Sequence, residues 1–253
     1  MKKIFYFISF LILILQSCTS SEDNNDSNST SVLIKKKIET TPDGTFTSIY
    51  SYTNDKLIKI SLNNGVRVAN YFYSGNLIER VEVKDNNNNL ISKMTYNYNS
   101  NNQIISYIEL NYINNTGDRG VFTYNSNGTI SCIEYEGDLT LQNNQTLTKV
   151  ISLDNGEVSS LSINYSSSTE TTNFTYDNKN SPDKNILGIN KVSYALIGRF
   201  TSDINHNILQ YTTSGNGYSY QYDYQYTYNS GGYPTTRTET SGGNSDSYIE
   251  YFY

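Results

Sequence analysis

A pair of aromatic residues separated by one residue recurs along this chain about every 25 residues. The pair is followed by a turn and then by Ile or Leu, as in Tyr96-Asn97-Tyr98 before Ile104 and Phe122-Thr123-Tyr124 before Ile130. Full or weaker copies begin at residues 50, 71, 96, 122, 151, 174, 200, 226 and 251. A repeat of this length fits two strands of roughly 8–10 residues and two turns, so each copy is predicted to be a β-hairpin.

Turn residues separate the predicted strands, for example Asn63-Asn64-Gly65 and Asp154-Asn155-Gly156, which tolerate positive φ. Between turns, alternation places Tyr and Ile on one face of a strand and Thr, Asn and Gln on the other. The sequence therefore predicts an all-β protein, a long antiparallel β-hairpin meander of about 16–18 strands. An open sheet of that size would expose two edges, so it is predicted to curl or close into a barrel-like sheet. The main break, residues 177–185, is predicted to be a long loop.

Composition explains why tyrosine carries the repeat. From Cys18 onward, Ile, Leu, Val and Phe make up only about 21% of the residues, close to the roughly 20% at which disorder is expected. The chain contains 25 Tyr and no Trp. The core is therefore predicted to be built partly from tyrosine, and the scarcity of Ala argues against a helical protein.

The amino terminus has the pattern of an export signal. Two lysines precede an apolar run from Ile4 to Leu15, and residues 1–17 are predicted to be removed as a signal peptide. Twelve residues span about 18 Å as a helix, too short for a bilayer core of about 30 Å. Leu15-Gln16-Ser17-Cys18 resembles the lipobox of bacterial lipoproteins, which implies lipidation of Cys18 and a membrane anchor. The alternative is an ordinary secreted protein in which Cys18 is unmodified.

Residues 18–31 are predicted to be a flexible tether, because they are polar and acidic and offer no apolar surface to bury. Ser21-Glu22-Asp23 also resembles the surface-export signal of Bacteroidetes lipoproteins. That resemblance implies a location at the outer membrane, facing the cell exterior. Residues 32–253 are predicted to form a single tyrosine-repeat β domain.

The repeat itself resembles a degenerate YD (RHS-type) repeat, with strict Tyr-Asp pairs at Tyr176-Asp177 and Tyr222-Asp223. Together with Tyr226-Thr227-Tyr228-Asn229-Ser230-Gly231-Gly232-Tyr233-Pro234, it is similar to a family of uncharacterised Bacteroidetes lipoproteins. That family is a domain of unknown function described as porin-like in fold. The resemblance covers about Val32 to Tyr253 and implies an architecture and a location, but no reaction.

Motifs for catalysis or metal binding are scarce. His206, the sole histidine, lies in a predicted turn, with Asp203 as a possible catalytic partner. Asp203-x-Asn205-x-Asn207 has the opening spacing of a calcium loop, but Ile208 and Ser214 stand where that loop needs Gly and an acid. No catalytic residue, metal site or cofactor is therefore predicted.

Charge argues against nucleic acid as a partner. Removing Lys2 and Lys3 with the signal leaves 18 − 2 = 16 basic residues against 24 acidic ones, a net charge of −8 that repels polyanions.

A tyrosine stripe is the remaining candidate surface. Six tyrosines alternate strictly along one predicted strand, which puts them on one face. They are Tyr218, Tyr220, Tyr222, Tyr224, Tyr226 and Tyr228. If exposed, the stripe is predicted to bind a glycan, peptide or protein partner, and if buried it is core.

These observations predict a non-enzymatic, surface-exposed outer-membrane lipoprotein that serves as a binding or structural module. A first alternative is a barrel-like carrier or porin-like protein that encloses a small or apolar ligand. A second is a hydrolase with a loop-borne site around His206.

Overall fold

The computed structural model describes residues 31–196 and 204–253. The signal, Cys18, the tether up to residue 30, Asp203 and the repeat copy at Phe200 lie outside the described residues. The described part contains one α-helix, α1 (Ile189–Leu196), and sixteen strands. The strands are β1 (Lys36–Thr41), β2 (Gly44–Thr53), β3 (Lys56–Leu62), β4 (Arg67–Ser74), β5 (Leu77–Asp85), β6 (Leu90–Tyr98), β7 (Ile104–Asn111), β8 (Thr116–Tyr124), β9 (Ile130–Gly137), β10 (Gln142–Asp154), β11 (Glu157–Asn164), β12 (Thr169–Tyr176), β13 (Ile208–Gly215), β14 (Tyr218–Tyr228), β15 (Pro234–Ser241) and β16 (Asn244–Phe252).

The strands form a closed barrel in which each pairs antiparallel with its sequence neighbours. Closure occurs between β1 and β16, where Lys37 pairs with Tyr251 and Glu39 with Ile249. This confirms the predicted all-β meander, and sixteen strands lie within the predicted range. Within the described ranges, no helix combines the length and apolarity that crossing a bilayer requires.

One buried cluster identifies the inner face of the barrel. It joins side chains from β5 through β11 with Val192 and Ala195 of α1, which is possible only in the interior. Its strand members include Ile78, Tyr96, Ile104, Phe122, Ile130, Ile151 and Leu161. Cys132 is buried in the same cluster, on the face of Ile130. Because paired residues share a face, the inward positions of the other strands follow from the register.

The outer face is mixed: it exposes apolar side chains such as Ile49, Phe72 and Phe252, and it carries charges at the middle of several strands. Glu82 of β5 pairs with Lys93 of β6, and Arg80 forms an ion pair with Glu82 at 3.0 Å. Other outward charged residues within strands are Lys59, Arg119, Asp223 and Glu250. Charged side chains thus stand among the apolar ones on the described outer face.

The turns that follow several aromatic pairs share one hydrogen-bond pattern. After Tyr98, the Asn99 Oδ1 atom accepts the backbone N–H groups of Asn101 at 2.9 Å and Gln103 at 3.0 Å. After Tyr228, Asn229 accepts equivalent bonds at 3.0 Å from residues 231 and 233. A short side chain with an acceptor oxygen can close this turn, which explains why Asn or Asp follows the tyrosine.

The long break in the meander is an insertion into one such turn. The Asp177 Oδ1 atom accepts the N–H of Lys179 at 2.9 Å, and then that of Asn207 at 3.0 Å. The N–H of Asn207 thus makes the same bond to Asp177 that the N–H of Gln103 makes to Asn99. Strands β12 and β13 pair directly, so no strand lies between them in the sheet. We call the described residues of the insertion, 178–196 and 204–206, the plug; the predicted loop over residues 177–185 contains its first part.

The plug packs against the inner face at the barrel end where the even-numbered strands finish. Val192 and Ala195 lie one helical turn apart on α1, and both are buried in the interior cluster. Ile186 is buried in a second cluster with Leu57, and the N–H of Leu187 donates to the carbonyl of Asp55 at 2.9 Å. A helix therefore forms despite the β-rich composition, because burial of its apolar stripe outweighs propensity.

Tyrosine hydroxyls tie neighbouring strands together at the same end. Six tyrosines near the ends of even-numbered strands each donate a hydrogen bond from the hydroxyl. The acceptor is a backbone carbonyl near the start of the preceding strand. The pairs are Tyr52 to Ile34 (2.7 Å), Tyr98 to Ile78 (2.6 Å), Tyr124 to Ile104 (3.1 Å), Tyr176 to Val158 (2.9 Å), Tyr226 to Ile208 (2.9 Å) and Tyr253 to Pro234 (3.0 Å). We call these contacts the tyrosine rungs.

Removing one rung is expected to destabilise the barrel. Tyr98→Phe deletes the hydroxyl that bonds the Ile78 carbonyl, and we expect the free energy of unfolding to fall by about 1 kcal/mol. Tyr248 on the outer face is 40% exposed and supplies the matched control, since Tyr248→Phe should change stability little. Urea unfolding of both variants measures the difference, and equal effects would contradict a structural role for the rung.

Candidate functional site

The tyrosine stripe of β14 runs along the inner face from water into the core. Tyr218 and Tyr220 are 42% and 45% exposed, whereas Tyr224 is 5% exposed. Tyr226 forms a rung, and the hydroxyl of Tyr228 donates to a carboxylate oxygen of Asp177 at the base of the plug. The stripe is therefore exposed in its first half and buried or hydrogen-bonded within the protein in its second half.

Other inward-facing residues are also exposed to water at one end of the barrel. Phe46, near the start of β2, is 42% exposed, and Arg67, the first residue of β4, is also exposed on this face. Both lie at the end where even-numbered strands begin, opposite the plug. We call this end the open mouth. Barrels of sixteen strands enclose more space than their side chains fill, which accounts for a water-accessible lumen here.

Exposed tyrosines lie beside one carboxylate at the open mouth. Tyr218 donates its hydroxyl to Glu170 of β12. Tyr165 is 39% exposed in the preceding turn, and its partial burial and the charge of the nearby Glu170 raise the pKa of its phenol. The rings of Tyr218 and Tyr220 are parallel within 5°, with centroids 6.1 Å apart. We call Tyr165, Tyr218, Tyr220 and Glu170 the mouth cluster.

Gly215 makes the contact between two of these residues possible. It lies between them in the sheet, paired with Glu170 on one side and with Tyr218 on the other. A Cβ atom at position 215 would approach the Cγ atom of Glu170 to 3.1 Å and the Thr169 carbonyl oxygen to 2.8 Å. The missing side chain therefore lets the carboxylate of Glu170 reach across one strand.

Aromatic contacts continue from the mouth cluster towards the core. Tyr222 stacks on Tyr211 at a centroid distance of 4.9 Å, and Tyr211 contacts Phe174 at 6.1 Å. The guanidinium of Arg237 lies 4.9 Å from the ring centre of Tyr224. Aromatic side chains thus follow the inner face of β14 and extend onto Tyr211 of β13 and Phe174 of β12.

Acidic residues outnumber basic ones on the inner face of the described strands. By register, the inward acids are Glu39, Asp85, Glu109, Asp118, Glu134, Glu136, Glu170 and Glu239, and the inward bases are Lys37, Arg67, Lys149 and Arg237. Like charges focused in a low-dielectric tube attract ions of opposite sign. The lumen therefore favours cations over anions.

Several of the inner charges are paired within the protein. Lys149 contacts Glu134 at 2.6 Å, and the buried hydroxyl of Tyr107 donates to the same carboxylate at 2.7 Å. These two contacts satisfy buried charge and have a structural role. Glu39 and Glu239 also contact basic residues of their own strands, at 3.1 Å and 3.3 Å.

His206 is the last residue of the plug and contacts Glu157, which the sequence did not single out. Its Nδ1 atom is 3.0 Å from the Glu157 carboxylate, which also accepts the N–H groups of Asn205 and His206 at 2.9 Å. A cleft of about 350 Å³ beside it includes Ser159 in its lining. Within residues 31–196 and 204–253, the ring of His206 hydrogen-bonds no hydroxyl or thiol nucleophile.

The described residues of the calcium-like spacing have other roles. Asn207 donates its side-chain amide to Asp177 at 2.9 Å and to the Asn180 carbonyl at 3.1 Å, so it ties the plug to its turn. The described part of the chain brings together no group of three acidic, His or Cys side chains able to hold a metal ion.

Solved structures with a similar fold are porin-like proteins of Bacteroides. A porin-like protein from Bacteroides vulgatus ATCC 8482 superposes with a TM-score of 0.61 at 12% identity, covering 88% of this chain and 98% of that one. A porin-like protein from Bacteroides uniformis ATCC 8492 gives 0.50 at 14% identity, covering 87% and 97%. No protein-family model and no curated protein matches the chain. At these identities the likeness concerns the fold.

Burial of tyrosines is expected to make the barrel unfold steeply in alkali. Burial raises the pKa of Tyr124 to about 12, and that of Tyr98 further above its ordinary value of 10.0. A hydrogen bond to Glu170 raises the pKa of Tyr218 to about 12. Above about pH 10 the unfolded chain releases protons that the folded chain retains, so the free energy of unfolding falls as pH rises.

The test is a titration of phenolate absorbance alongside circular dichroism. Most phenols should ionise in one step, together with loss of the β signal and above pH 10. Independent ionisation of most tyrosines near pH 10 with the barrel intact would contradict the packed environment described above.

Proposed function

We propose that this protein is a lipid-anchored, water-soluble barrel that binds a ligand in its lumen at the surface of the outer membrane. The observation that carries the proposal is the exposure of Tyr218 and Tyr220 on the inner face, at an open mouth opposite the plug. Large aromatic side chains on the inner face of a water-filled site are the usual means of holding a ligand. The protein acts by binding, without chemistry of its own.

The outer face supports a barrel held in water. Charged residues such as Lys59, Lys93 and Arg119 stand at the middle of strands and point outward. A lysine or arginine on the lipid face at the bilayer midplane costs about 2–4 kcal/mol. Attachment to the membrane is then the task of the lipid on Cys18 and the tether behind it.

A porin-like channel is the nearest alternative, and the fold of the Bacteroides structures favours it. The plug favours a container with one entrance instead, because Val192, Ala195 and Ile186 are buried against the inner wall. A hydrolase is supported less well. His206 is oriented by Glu157, yet the described residues offer that ring no bonded nucleophile.

Anchoring can be tested at the lipobox. Cys18→Ala should move the protein from the membrane fraction to the soluble fraction, because the variant cannot receive a lipid. Cys132→Ala, which changes the other cysteine, should leave the protein membrane-bound. Labelling with a radioactive fatty acid should follow the same division. Retention of Cys18→Ala in the membrane would refute the lipid anchor and leave luminal binding to be judged separately.

Access to the lumen can be tested by thiol labelling of the purified mature domain. In a Cys132→Ala background, Tyr220→Cys should react quickly with a small maleimide, because the position is exposed inside the open mouth. The same reagent carried on a polymer wider than the barrel should react slowly. Tyr96→Cys, 4% exposed, is the buried comparison and should react with neither. Equal reaction of Tyr220→Cys with both reagents would place the stripe outside a lumen.

A further inference from the structure

We infer that the mouth cluster is a binding site for an alkylammonium group, supplied by a small organic cation or by a lysine side chain of a peptide. The inference rests on the proposed luminal binding and assigns the chemistry of its ligand. It combines one acid, Glu170, with the exposed rings of Tyr165, Tyr218 and Tyr220.

Glu170 differs in its partners from three other acids of the inner face. Glu39, Glu134 and Glu239 each contact a lysine or arginine within 3.3 Å. Among residues 31–196 and 204–253, no lysine, arginine or histidine forms an ion pair with Glu170. Its hydrogen bond comes from the neutral phenol of Tyr218, so its negative charge is not compensated by a base of the protein.

Elsewhere in the barrel, tyrosine rings contact positively charged side chains of the protein itself. Arg237 lies over the ring of Tyr224 at 4.9 Å, and the Lys56 ammonium lies 5.4 Å from the centre of the Tyr73 ring. In the part of the chain that the structure describes, no protein cation lies over Tyr218 or Tyr220. A ligand cation placed there gains the attraction of the ring faces and of the carboxylate together.

The charge of the lumen agrees with this choice of ligand. The excess of inward acids over inward bases repels phosphates and sugar acids and draws cations towards the mouth. Alkylated ammonium groups shed water more easily than inorganic cations, and aromatic rings recognise them for that reason. A neutral sugar could also stack on exposed tyrosines, but it would make no use of the uncompensated charge on Glu170.

Choline and its uncharged isostere, 3,3-dimethylbutan-1-ol, provide a matched pair of probes. Titration calorimetry of the mature barrel should show choline binding at least about tenfold more tightly than the alcohol, because only choline carries the positive charge. Added salt should weaken choline binding, as expected for an interaction between charges near water. A lysine-rich tripeptide is the second arm and tests whether the cation belongs to a peptide.

Two substitutions separate charge from ring contact. Glu170→Gln keeps the shape and an acceptor oxygen, and should weaken choline about tenfold while leaving the alcohol unchanged. Tyr220→Ala should weaken choline and the alcohol alike. Glu250→Gln and Tyr248→Ala make the same changes on the outer face and should alter neither ligand. Circular dichroism confirms that each variant remains a folded barrel.

Results that contradict the ammonium site can be told apart from results that contradict luminal binding. Choline that binds no tighter than the alcohol, or binding that survives Glu170→Gln, overturns the ammonium assignment, as does the absence of choline binding at millimolar concentration. If maltotriose binds instead and Tyr220→Ala abolishes it, the luminal-binding proposal stands and the ligand class is wrong. Binding lost in Tyr248→Ala but kept in Tyr220→Ala would remove both proposals.

Discussion

Sixteen strands closed into one sheet enclose more space than inward side chains can fill, and this excess of volume governs the rest of the structure. A core poor in Leu and Val meets it in two ways. Long tyrosine side chains line the wall, and a segment of the chain turns back to pack against one end, burying Ile186, Val192 and Ala195. At the other end nothing in the described chain fills the tube, so the same kind of side chain faces water.

Tyrosine suits this wall because it satisfies two needs at once. Its ring buries apolar area, and its hydroxyl reaches a carbonyl at the strand end where the ladder of the sheet stops. The residue after it then closes the turn with an acceptor oxygen, as Asn99 and Asn229 do. The Tyr-Asn and Tyr-Asp pairs of the sequence therefore act together. The tyrosine forms the rung at the end of the strand, and the residue after it closes the turn.

Alternation, turn residues and the repeat length were enough to predict the strand type and the approximate strand number, since each depends on local rules; they left open whether the sheet curls or closes. The helix of the plug was not predicted. Phe174 and Tyr226 are separated by about two repeat lengths, so the repeat spacing gave no sign of an insertion between them. Helix α1 depends on burial of Val192 against the inner wall, and the local sequence does not show where that wall lies. The partners of Glu170 and His206 were missed for the same reason, because Tyr218 and Glu157 lie nearly fifty residues away.

One strand therefore contributes both to the core and to the open mouth, because the described residues of the plug pack at one end of the barrel. Tyr224 to Tyr228 lie at the depth of the plug and are fixed by packing and by bonds to Ile208 and Asp177. Tyr218 and Tyr220 extend the same alternation beyond that depth, where packing no longer selects their identity. Exposed at the open mouth, these two side chains bury little area, and under our proposal they serve the ligand more than the stability of the barrel.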